Sequence, residues 1–204
     1  MTTQVPSTML AADAGIGTSN ITDSAVTTAK IADSNVTAVK IAASAVTPAK
    51  LSQPLTRGTA VATTSGVAVD YTSIPSWVSR ITVMFNAVST SGSSTIILQL
   101  GTSGGFETTG YVATGWDGTN LQTTTGIALS GSVASTNTRS GVFTLANVSG
   151  NVWVGSGVII RTDSATGNFS GGNKTLSGVL DRIRITTVNG TDTFDAGSIN
   201  ILYE

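Results

Sequence analysis

Beyond residue 57 the chain runs in short apolar segments, rich in β-branched residues and divided by Gly, Ser, Thr and Asn. Within several segments the pattern has period two. Ile81, Val83 and Phe85 alternate with Thr82, Met84 and Asn86, and Ile183 and Ile185 alternate with Arg182, Arg184 and Thr186. In a strand that period sends successive side chains to opposite faces, so one face packs a core and the other meets water or a subunit. Strands are predicted over 58–63, 66–72, 79–88, 95–101, 106–114, 126–130, 141–148, 151–161, 174–180, 182–188 and 197–203. The residues V-S-G at 148–150 and V-N-G-T-D at 188–192 read as turns between them. So many short antiparallel strands in one segment predict an all-β fold, a C-terminal antiparallel β-sandwich of jelly-roll type. Trp77 and Trp153 sit within or beside such strands and are expected in the core or at an interface.

The first quarter of the chain has a different pattern. Three consecutive decads, ITDSAVTTAK at 21–30, IADSNVTAVK at 31–40 and IAASAVTPAK at 41–50, share Ile, Ser, Val, Thr and Lys at the same positions. A ten-residue period matches neither element: a helix would rotate the pattern by 280° per repeat, and a strand would place Ile21 and Val26 on opposite faces. The unit predicted is an extended piece, D-S-x-V, followed by a single turn, T-x-x-K, in which Thr27 caps the turn. A unit this small cannot bury its own apolar side chains. Two readings stand: a flexible linker, or a stalk of parallel copies with Ile21, Val26, Ile31, Val36, Ile41, Val46 and Leu51 pointing inward. The regularity of Ile and Val favours the stalk.

Composition narrows the function classes. The chain has 35 Thr, 25 Ser and 23 Gly among 204 residues, only 10% charged residues, and a net charge of −1. No cationic field is present to hold nucleic acid or an anionic membrane, and no apolar run is long enough for a membrane span. The start, MTTQVPSTML, lacks the pattern of a secretory signal, so synthesis in the cytosol is expected. Cysteine and histidine are absent, which removes disulfides, Cys/His metal sites and His-based acid–base relays. Durability then has to come from another source, and oligomerisation is one.

Motifs of catalytic type are weak. GTSGG at 101–105 matches G-x-S-x-G around Ser103, but without histidine the usual relay cannot form, and a Gly-rich loop is expected. GNFSGGNKT at 167–175 lacks the adjacent Gly-Lys of a phosphate loop and reads as an exposed loop. Asn189, Asp192 and Asp195 share a loop with oxygen ligands, yet without the spacing of a calcium loop; turn hydrogen bonds or interchain contacts are the expectation. No cofactor and no metal are expected.

The decad I-x-D-S-x-V-T-x-x-K, together with SIPSWVSRITVMFNAVST at 73–90, GFETTGY at 105–111 and DTFDAGSINILYE at 192–204, resembles the tail fibres or receptor-binding proteins of tailed bacteriophages. The resemblance implies a homotrimer in the virion tail, with a thin intertwined shaft and a distal β-domain that meets the host. The implied organisation is 1–20 as a segment joined to a tail or adaptor protein, 21–56 as the shaft, and 57–204 as the receptor-binding domain. The expected function is adsorption to a bacterial surface glycan or outer-membrane protein, without catalysis, membrane insertion or nucleic acid. A purely structural fibre or adaptor, and a glycan depolymerase using two carboxylates, are the alternatives. Receptor contacts are expected at loop tips: Trp116, Asp117 and Asn120, then Asn137 and Arg139, then Asn168, Phe169 and Lys174. In T-G-W-D-G-T-N an exposed Trp116 either stacks on a sugar, with Asp117 and Asn120 bonding its hydroxyls, or packs against a sister chain.

Overall fold

The computed structural model describes residues 21–204 apart from 33, 48–49, 119, 132–133 and 163–166. The chain divides after Leu51 into two units.

In the first unit each decad folds on itself through the same three bonds. A tight turn is closed by the Ala25 N–H to the Thr22 carbonyl at 3.0 Å, and Asn35 to Ala32 and Ala45 to Ala42 repeat it. Ser24, Ser34 and Ser44 sit in these turns with φ of 64°, 67° and 63°. A single 3₁₀ turn follows, at Thr28–Lys30 and Ala38–Lys40. The Lys30 ammonium then donates back to the Ala25 carbonyl at 2.6 Å, as Lys50 does to Ala45 at 3.0 Å. The T-x-x-K turn agrees with the sequence reading, but D-S-x-V is a turn and not an extended piece. Nor does Thr37 cap through its side chain; the ladder there is backbone only. The invariant Ser and Lys thus serve the local fold, while Ile31 stays 43% and Val36 57% exposed, values almost repeated in the neighbouring decads.

The second unit is all-β. Its strands are β1 (Thr56–Arg57), β2 (Val61–Ala62), β3 (Ala68–Tyr71), β4 (Arg80–Thr90), β5 (Ile96–Thr102), β6 (Gly105–Phe106), β7 (Val112–Trp116), β8 (Asn120–Thr123), β9 (Ile127–Ser130), β10 (Arg139–Ser149), β11 (Val152–Arg161), β12 (Gly167–Thr175), β13 (Arg182–Thr187) and β14 (Phe194–Tyr203). They form two antiparallel sheets. The larger has the order β1-β14-β4-β10-β11-β12-β7-β8, with β2 also on β14; the smaller is β3-β13-β5-β6, with β9 also on β5.

Alternation selects the inner faces as expected. Ile81, Val83 and Phe85 of β4, Phe143 and Leu145 of β10 and Ile199 and Ile201 of β14 join Leu98, Leu100, Ile127, Ile183 and Ile185 of the small sheet in one core. Each such side chain contributes roughly 1.5–3 kcal/mol on burial. Trp153 is buried in this core and Trp77 packs at its margin, 6.0 Å from the Tyr203 ring. The predicted turn at 148–150 joins β10 to β11 with Gly150 at φ 51°, and the 188–192 turn has Gly190 at φ 67°.

Three local predictions are corrected. The predicted strand 174–180 is chiefly irregular, while GNFSGGNKT, expected as a loop, is strand β12. Strand β8, which the pattern did not indicate, forms the far edge of the large sheet. The third correction is an irregularity in β4, where Ala87 has φ 52° and the pairing with β10 and β14 shifts. A Cβ on the facing Gly197 would lie 2.4 Å from the Ala87 carbonyl oxygen, so this bulge requires glycine opposite it.

Candidate functional site

Two exposed aromatics lie on the outer face of the large sheet, and register brings them together. Phe169 of β12 stands opposite Trp116 of β7, and both continue a row that crosses the sheet. The row runs Met84, Val142, Val158, Phe169, Trp116, Asn120, one residue from each of six strands. All six point away from the core, because their chain neighbours alternate inward. Phe169 is 58% and Trp116 42% exposed.

The next row on the same face is Thr82, Thr144, Ser156, Gly171, Thr114, Gln122, small as far as Thr114 and carrying four hydroxyls. Beyond it come Ala146, Val154, Asn173 and Val112. A low row between two taller ones is a trough. It encloses about 600 Å³ where Ser156, Gly171 and Thr114 form its floor and Val158, Phe169 and Trp116 one wall. A second hollow of about 350 Å³, bounded by Thr144, Ala146, Val154 and Ser156, continues it toward β10. No ionisable side chain lines either hollow among the described residues.

The eight residues expected at loop tips therefore divide. Trp116, Asn120 and Phe169 converge on the trough, although they belong to strands. The other five do not reach it. Asp117 points to the opposite side of the sheet, against Gly131, where its carboxylate occupies the space a Cβ would need. Asn137, Arg139, Asn168 and Lys174 are all buried, so the exposed-loop placement is corrected for each. Arg139 of β10 is 1% exposed, and its guanidinium donates to the Asn137 carbonyl at 3.4 Å. Asn168 and Lys174 occupy inward positions of β12. For Arg139, Asn168 and Lys174 the reason is that a strand in mid-sheet must alternate, and polar residues inherit the inner positions; Asn137 is buried in the turn before β10, where its N–H donates to the Ala134 carbonyl at 3.0 Å. Sequence reasoning missed Ser156, Gly171 and Thr114. Only the register of three strands puts them side by side, although the small outward residue between Val154 and Val158 was a visible signal.

Asp70, Asp181 and Asp192 are engaged elsewhere. Asp70 accepts two hydrogen bonds from Arg184 at 2.8 and 2.7 Å, and Asp181 pairs with Arg182 at 2.7 Å. The Arg184 guanidinium also lies 4.1 Å from the Phe106 ring centroid. Asp192 accepts from the Asn189 amide at 2.7 Å, as turn bonding predicts, and from the Ser94 N–H, far away in sequence, at 2.9 Å. Among the described residues no group of three or more acidic side chains is arranged to hold a metal.

No protein-family model, curated protein or solved structure matches the chain.

Proposed function

We propose that the protein is a fibre of a phage tail that adsorbs to the bacterial surface as a homotrimer. The observation that carries this reading is the decad unit, which closes its two turns and ties its lysine within each chain but leaves Ile21, Val26, Ile31, Val36, Ile41 and Val46 exposed at regular intervals. Side chains that recur every ten residues and find no cover in their own unit are those a parallel sister chain covers. Three strands wound together form the shaft, with Leu51 at its end. Residues 1–20 join it to a tail or adaptor protein.

The strand order favours a jelly-roll head. With β3, β4, β5, β7–β8, β9, β10–β12 and β13 taken as B, C, D, E–F, G, H and I, the small sheet reads B-I-D-G with β6 also beside D, and the large sheet reads C-H-E-F with β14, β1 and β2 added outside C. Strand H is then drawn out into the three-strand meander that carries the trough. Three heads on one axis present each receptor site three times, which multiplies weak individual affinities.

Adsorption competition tests the reading. Purified protein is expected to occupy the host surface and slow attachment of the parent virus. A trimer that leaves attachment unchanged would contradict adsorption and favour the purely architectural fibre, while reducing-end release from surface polysaccharide would favour a depolymerase.

A further inference from the structure

We infer that the trough on β11, β12 and β7 is a binding site for an uncharged oligosaccharide laid across the strands. The inference rests on the adsorption reading and assigns it a ligand class and a place.

Trp116 and Phe169 are neighbours across one strand spacing, about 4.8 Å, so they offer a continuous apolar wall to consecutive rings of a chain. Aromatic faces suit the C–H faces of pyranoses, and the hydroxyls of Ser156 and Thr114, with the Asn120 amide, both donate and accept, as sugar hydroxyls do. Gly171 keeps the floor low between them. A Cβ there would lie 3.1 Å from the Gly155 carbonyl oxygen, and any larger side chain would rise into the space a ring needs.

An anionic glycan would forfeit its hydration in a trough with no cation among its described lining residues. Lys174 of β12, Arg161 of β11 and Arg139 of the adjoining β10 occupy the inward positions of the alternation. The outer face of the small sheet differs: there Arg184, Asp70 and Arg182 make it polar and charged.

The competing occupant is a second copy of the chain. The exposed apolar side chains of the face stand in two rows, Val142, Val158, Phe169 and Trp116 on one side and Val154 and Val112 on the other, divided by the low row. A flat partner would leave that low row unfilled. The volume of about 600 Å³ instead falls in the range of small-ligand sites.

The test is an array of neutral and acidic glycans probed with the full chain, its Trp116→Ala and Ser156→Leu variants, and Phe169→Glu. Binding is expected to neutral glycans only, weakened about tenfold by Trp116→Ala and abolished by Ser156→Leu. In the unmodified chain, addition of the best neutral glycan is expected to shift the amide resonances of Thr114 and Gly171, which needs no variant to fold. Response to acidic glycans alone, no response to any neutral glycan, or neutral binding that survives both variants overturns the inference. A native mass that falls in Phe169→Glu also overturns it, by assigning the face to chain contact. If the protein competes for host adsorption while both trough variants compete equally well, the site fails and the adsorption reading stands. If neutral glycans bind in the trough but the protein never competes for the host surface, the reverse holds.

Discussion

Lys174 and Glu107 form an ion pair of 2.6 Å beneath the end of β12, and Lys174 is almost wholly buried. The second Glu107 oxygen accepts the Ser177 N–H at 2.8 Å and the Ser177 hydroxyl at 2.7 Å. Lys174 also lies 5.4 Å from the Tyr111 ring, whose hydroxyl donates to the Glu107 carbonyl at 2.9 Å. The connection between β6 and β7 is thereby tied to the end of β12. Glu107→Gln would leave a buried ammonium without its anion, and a loss of about 2 kcal/mol is expected in denaturant unfolding, allowing for partial exposure.

The same carboxylate sets an acid limit. Burial pushes Glu107 upward, but the hydrogen bonds from Lys174 and Ser177 outweigh it and hold the group below the usual range. Its folded value is the lower one, so its contribution is complete above the unfolded value, about 4.3, and is lost as pH falls through the folded value. Glu107→Gln is expected to flatten that part of a stability–pH profile; an unchanged acid limb would contradict the assignment.

An alkaline limit comes from two phenols. Burial raises Tyr71 to about 12, with its hydroxyl donating to the Ile199 carbonyl at 2.6 Å, and burial raises Tyr111 further. The unfolded chain loses these protons first, so stability is expected to fall as pH rises above about 10, where unfolded tyrosine ionises. Absorbance titration checks the order: phenolate appearing at ordinary pH in a Tyr203→Phe chain that remains folded would refute it.

Gly155 and Gly157 face inward on β11 and make room for neighbouring core side chains. A Cβ on Gly155 would lie 2.5 Å from Phe143 Cε1 and 2.9 Å from Leu145 Cδ2. Gly155→Ala is expected to cost about 1–3 kcal/mol through overpacking, read as a lowered Tm. A neutral result would mean that the Phe143 ring has an alternative place.

Asn168 presents the opposite case. It is 1% exposed, and among the described residues neither its amide nitrogen nor its oxygen has a hydrogen-bond partner. Asn168→Leu removes that penalty at similar volume, and a gain of about 1 kcal/mol is expected in thermal unfolding. A destabilised variant would show that the amide is satisfied by ordered water.

Strong alternation was readable from the chain. Ile81, Val83 and Phe85 and the pair Ile183 and Ile185 face the core as period two requires. The T-x-x-K turn was readable because Thr and Lys recur at fixed spacing. Strand β12 was not, because G-N-F-S-G-G-N-K-T has the composition of a loop; what makes it a strand is hydrogen bonding to β11 on one side and β7 on the other. That tertiary override also hid Lys174, Asn168 and Arg139, whose burial no local pattern announces. Trp116 and Phe169 stood out individually, but their adjacency depends on register between strands more than fifty residues apart.

Fibre formation is tested most directly by the native mass of the full chain in light scattering. The account predicts three times the 20.5 kDa chain mass. A single-chain mass, with Ile31 and Val36 open to water, would contradict the wound shaft and the trivalent head built upon it.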